Sequence, residues 1–256
     1  SPTGRAKMKH IAIATIGNLL CATAFAGSIT LTGTVRDFSA DGVNFEGSMS
    51  SGPGYVNSTL SGASPSLSAT GASYISNSGP GAFNNWFTNS ANSVSYSLVL
   101  NETAPGSGLY KYSNSAFFPI DNQLLGNAGN SHNYHFTYAI ASTFSYVAGA
   151  GQTFDFTGDD DVWVFFNKKL GIDLGGVHGA QSQSVNLDTI MAGQASGDYS
   201  FDFFFAERHT TQSNLMITTS LVFKDPPTNV PEPGALALIG LGLAGLGALR
   251  RKNRAS

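Results

Sequence analysis

Three consecutive aspartates, Asp159 to Asp161, stand directly before the apolar run Val162 to Phe166 in the stretch FDFTGDDDVWVFFNKKLGIDLGG, Phe154 to Gly176. Like charges at contact distance raise one another's pKa and cost stability. Such a cluster calls for a compensating cation, a set of backbone donors, or open solvent. A second polar group, AERHTT at Ala206 to Thr211, supplies Glu207, Arg208 and His209. A Glu close to a His invites acid–base chemistry, yet glycoside hydrolysis needs two carboxyls about 5–9 Å apart, and nothing in the sequence pairs Glu207 with a second one. Neither an HExxH nor a Gly-x-Ser-x-Gly signature occurs. No catalytic residue is expected. Glu207 and Arg208 are instead expected to pair with each other and organise their loop. His178, in GGVHGAQS, follows two glycines and reads as a hydrogen-bonded loop residue.

The elements that must position these groups are short and alternating. SITLTGTVRDF, from Ser28, puts Ile29, Leu31, Gly33 and Val35 on one face and threonines on the other, the pattern of a half-buried strand. The same period recurs in SVSYSLVL (Ser93 to Leu100), YHFTYAIASTFSYV (Tyr134 to Val147), YSFDFFFAE (Tyr199 to Glu207) and NLMITTSLVF (Asn214 to Phe223). In the opening stretch, Val162, Val164 and Phe166 face one way and Trp163 and Phe165 the other, so this strand is buried on both sides. It turns at Asn167-Lys168-Lys169 into a second strand, Leu170 to Leu174. Sixteen serines lie between Gly47 and Gly108, a linker-like composition interrupted by Tyr55, Tyr74, Phe83, Trp86 and Phe87. AFNNWF, Ala82 to Phe87, reads as a short amphipathic turn packed on the sheet. The 256 residues, 41% hydrophobic with 30 glycines and 18 phenylalanines but only 11% charged, suit one turn-rich β domain with a sizeable core. An all-β antiparallel sandwich or barrel follows.

Both ends read as addresses. Met8-Lys9-His10, the apolar run Ile11 to Cys21 and the small-x-small site Ala24-Phe25-Ala26 form a signal peptide over residues 8–26, with the mature chain starting near Gly27. Cys21, the single cysteine, falls inside it, which leaves the mature portion no disulfide or thiolate metal site. Between Gly27 and Val230, six Lys/Arg stand against fifteen Asp/Glu, a net charge of about −9 compared with −3 for the whole chain. With no basic patch, nucleic acid is not an expected partner. At the other end, Val230-Pro231-Glu232-Pro233 precedes sixteen uncharged residues, Gly234 to Leu249, and the basic cluster Arg250, Arg251, Lys252, Arg254. As a helix the apolar run would measure about 24 Å, marginal for a hydrocarbon core of about 30 Å. Its basic end belongs on the cytoplasmic side. This tail resembles the PEP-CTERM sorting signal of exopolysaccharide-producing Gram-negative bacteria. The resemblance implies export, transient inner-membrane anchoring through the 234–249 helix, and processing by an exosortase-type enzyme.

The run TFDFTGDDDVWVFFNKKLGIDLGGVHGAQSQSVNLDTI and the later YSFDFFFAERHTTQSNLMITTSL resemble the fibro-slime domain of secreted bacterial proteins, with TVRDF at Thr34 and SAFFPID at Ser115 in agreement. That domain is similar to the protective-antigen-type β-barrel. The division expected is a fibro-slime β domain over residues 27–224 and a linker plus sorting tail over 225–256. In lectin members of the protective-antigen-like group, two consecutive aspartates before this strand hold a calcium ion that binds sugar hydroxyls, and an asparagine from a later loop completes the site. The matching positions are Asp159, Asp160 and Asn214, and a calcium site there would turn both aspartates towards the 207–214 loop, across a cis peptide between them. Six to eight oxygens would come from these side chains, backbone carbonyls, water and sugar. The alternative is that the aspartates cap the strand and face solvent. The resemblances imply an exported, non-enzymatic surface or matrix protein that binds extracellular polysaccharide with calcium. A purely structural matrix protein and a glycan-cleaving enzyme are its rivals.

Overall fold

The computed structural model describes residues 26–47 and 51–224. The expected sorting helix at 234–249, the Val230–Pro233 motif and all but the last residue of the signal segment lie outside them. Eleven strands form: β1 (Ser28–Asp37), β2 (Ser93–Glu102), β3 (Tyr110–Asn114), β4 (Phe136–Tyr146), β5 (Thr153–Asp159), β6 (Asp161–Phe166), β7 (Lys169–Leu174), β8 (Gln181–Asn186), β9 (Gly197–Glu207), β10 (Asn214–Thr219) and β11 (Val222–Lys224). The α-helix of the described residues is one turn, α1 (Leu187–Ile190), and none there is long and apolar enough to cross a membrane.

All ladders are antiparallel, in the order β7-β6-β9-β4-β1-β2-β3-β10-β5-β8, with β11 paired to β4. The two end strands face each other. The Gln183 side chain bridges them, accepting from Asp173 N at 2.8 Å and donating to Gly171 O at 3.4 Å, so the sheet nearly closes into a barrel. Closure hides the unpaired backbone of an open edge. The barrel interior holds Leu31, Val35, Phe136, Tyr138, Phe156, Phe203, Phe205 and Leu215 among others. Each such side chain contributes about 1.5–3 kcal/mol by burial.

A second apolar cluster lies outside the barrel. Trp163 and Phe165 of β6 and Phe204 of β9 point outward and are covered by Phe45, Tyr55, Phe83, Trp86 and Phe87. The Ser-rich segment is thus a folded outer layer, and the Phe83–Asn85 3-10 turn carries AFNNWF against the sheet. β6 divides the two clusters, with Val162, Val164 and Phe166 inside and Trp163 and Phe165 outside. Asn44 ties the layer together, donating to Ser76 O and Gly81 O and accepting from Ser76 N.

Two details depart from the sequence reading. NLMITTSLVF is not one strand: Thr219 Oγ1 bonds Thr153 O and accepts from Leu221 N, which turns the chain away after β10 and sends β11 to β4. At the β6–β7 turn, Asn167 and Lys168 both take positive φ, 49° and 64°, as a type I′ hairpin requires, although no glycine is present. Neighbours hold the turn, with Asn167 N donating to Ser200 O and Lys168 O accepting from Leu60 N.

Candidate functional site

The β5–β6 corner sets three carboxylates at one rim of the barrel. Asp159 ends β5, Asp161 begins β6, and the peptide between Asp159 and Asp160 is cis. All three are buried. Asp159 accepts from both the backbone N and the Nδ2 of Asn214, the latter at 2.8 Å. Asp160 Oδ1 accepts from His178 N at 3.0 Å and Oδ2 from Arg208 N at 3.1 Å. Asp161 Oδ1 accepts from Gly176 N at 2.5 Å, and its Oδ2 takes Arg208 Nε and Nη2, both at 2.6 Å. Asp159 and Asp160 therefore turn towards the 207–214 loop, and solvent-facing capping is not their arrangement. Gly158 permits the close approach of β5 and β10, because a Cβ there would lie 2.4 Å from Asn214 O.

Glu207 is the group the sequence placed in the wrong company. It was expected to pair with Arg208, but Arg208 pairs with Asp161 instead. Successive residues at a strand end face opposite ways. Glu207 follows Phe205 into the barrel, while Arg208 turns out over Trp86, 5.2 Å from its ring centroid, and donates from Nη1 to Asn44 O at 3.1 Å. The β6–β9 register, Asp161 against Ala206, continues to place Glu207 beside Asp160. Glu207 is fully buried, and neither carboxyl oxygen has a partner of good hydrogen-bond geometry. Ser213 lies close enough to favour its charged form only weakly against burial.

Four buried carboxyls thus face one buried guanidinium. Burial, then the neighbouring Asp161, pushes the Asp160 pKa up to about 8 against the opposing pull of the His178 and Arg208 contacts. Burial, then Asp160, raises that of Glu207 well above the usual carboxylate range. His178 is the loop residue expected, its Nδ1 2.8 Å from Gly179 O. The roles of Ser213 and of Asn44 had no signal in residue spacing, since both depend on which loop crosses the rim.

The donors suit a hard cation. Asp159, Asp160 and the amide oxygen of Asn214 are all oxygen donors. Asp161 is already matched by the Arg208 cation, whereas Asp159 and Asp160 accept from neutral donors. Among the described residues no three acidic or histidine side chains converge as a ligand set. A site of two aspartates, an asparagine amide and backbone carbonyls does not require three.

The PA14 domain family profile matches residues 80–234, and the PEP-CTERM protein-sorting motif matches residues 229–252. Two Dictyostelium discoideum proteins are similar. Protein psiQ is 42% identical over 163 residues, covering 57% of this chain and 16% of its own length. Protein psiC is 44% identical over 152 residues, covering 54% and 28%. The chain therefore spans only a minor part of either relative. A crystal structure of the PA14 domain of the MpAFP antifreeze protein aligns at 11% identity and a TM-score of 0.24, over 48% of this chain and 69% of that one.

Proposed function

The chain belongs to the PA14 domain family, and we propose that it is a surface or matrix protein of the fibro-slime type whose barrel binds extracellular polysaccharide with a calcium ion held by Asp159, Asp160 and Asn214. Its PEP-CTERM motif implies export to the bacterial cell surface, and PA14 domains often bind carbohydrate. The observation that carries the calcium reading is the surplus of buried carboxyls at the rim, where Asp160 and Glu207 lie beside a guanidinium already paired with Asp161. Calcium would supply the missing positive charge and open coordination positions for sugar hydroxyls. Asp159 and Asn214 hold each other in place across the β5–β10 ladder, and the Arg208–Asp161 pair fixes the loop that donates to Asp160. On this reading the barrel is a binding module and not a catalyst.

A glycan array probed with and without EDTA tests the binding directly. Binding that the chelator abolishes and calcium restores is the expected result, and glycan turnover lost in Glu207→Gln would overturn the non-catalytic part. Exosortase-type processing predicts that protein recovered from the native surface lacks residues 234–254 by intact mass.

A further inference from the structure

A groove of about 760 Å³ runs across the outer face of β2, β1, β4 and β9, away from the aspartate rim. Its floor is open because the outward side chains of β4 there are small, Ala139 and Ala141. β1 pairs β4 only as far as Thr34 and Ala139, so the two strands part beneath the groove. Phe204, covered by Phe87 in an edge-on contact at 4.8 Å, closes one end. The polar lining is mixed. Asp202, directly across the ladder from Ala141, is half-buried, with Ser200 and the charge of Lys168 beside it and, among the described residues, no salt bridge. Asn89 accepts from Arg36 Nη2 at 2.6 Å through Oδ1, an arrangement that leaves its amide donors outside that contact. The hydroxyls of Thr34 and Ser95 complete the wall.

We infer that this groove is a calcium-independent subsite for a neutral saccharide, with Asp202 accepting from sugar hydroxyls and Asn89 donating to them. Size and lining fit the class: small-ligand clefts commonly occupy about 300–1,000 Å³, with a few placed polar groups on an apolar bed. Charge selects neutral over anionic ligands. Among the described residues Arg36 is the cation that lines the groove, and it is buried and bonded to Thr34 O and Asn89; Lys168 acts on Asp202 from outside the lining, so a polyanion would meet the Asp202 carboxylate at the wall itself. The inference stands apart from the rim reading, because no rim residue lines the groove.

Titration of the full chain with neutral glucan, mannan and galactan oligosaccharides in excess EDTA tests it. At least one should bind, and both Asp202→Ala and Ala141→Trp should weaken that binding tenfold or more. Ala141 is exposed, so its tryptophan fills the groove without entering the core, and melting within a few degrees of the parent verifies the fold. The inference is overturned if no oligosaccharide binds in EDTA, if neither variant weakens binding, or if a random octapeptide pool occupies the groove in place of every sugar. Loss of calcium dependence alone would sink the rim reading and leave this one intact.

Discussion

Asp161 and Asp160 are adjacent in sequence and equally buried, yet the fold treats them differently. Asp161 receives a buried guanidinium in two-atom contact as well as a backbone donor. Asp160 receives two backbone donors only, and its neighbour Glu207 has no well-formed hydrogen bond. One half of the rim holds a matched ion pair, and the other holds carboxyls that burial keeps protonated. Buried ionisable groups without a counter-charge are costly, and on the proposed reading a cation at this corner would relieve that cost.

The largest expected effect lies on the ion-paired half. Arg208→Met strands Asp161 and should cost about 3–5 kcal/mol, as breaking a buried pair does. The loss also frees the Asn44 carbonyl contact and the Trp86 face. Denaturant unfolding measures it, and a loss below 1 kcal/mol would erase the contrast between the halves.

The other half should respond to pH. Asp160 holds its proton to about pH 8 in the folded chain, whereas in the unfolded chain it ionises near 4. The folded state binds the extra proton between those values, so the stability it contributes is complete below pH 4 and is lost as pH rises through 8. Glu207 adds in the same direction. Each pKa unit corresponds to about 1.4 kcal/mol, which makes a decline of a few kcal/mol between pH 5 and pH 9 without calcium the expected result. Asp160→Asn should flatten that decline, and an equal slope in parent and variant would show that the charge resides elsewhere. The smallest effect lies outside both halves: Lys168→Gly, at φ 64°, should stabilise by no more than about 1 kcal/mol.

Much of the barrel was legible because alternation reports burial on one face and β6 reports burial on two. The outer layer was legible only as aromatic interruptions in a serine-rich run. What covers them depends on Asn44 and Trp86 contacts made at long range. At the rim, Asp159, Asp160 and Asn214 could be named from a resemblance, and the fold brings them together. The partner of Arg208 could not be read, because the strand end that sends Glu207 inward and Arg208 outward is set by the register of β9 against β6. Asp202 did carry a signal, as the single charged residue of the FDFFF run within β9. Alternation put it on the outer face, but the groove around it exists only because β1 and β4 separate.

The cation reading is tested most directly by melting the purified protein at pH 8 in calcium and in EDTA. Calcium at a hundredfold above Kd should stabilise by about 2.7 kcal/mol. For a domain of this size that is a rise of roughly 5–10 °C. The double substitution Asp159→Asn with Asp160→Asn should melt at the same temperature in both buffers. Identical melting of the unsubstituted protein with and without calcium would contradict the reading and leave the rim aspartates as strand-end acceptors alone.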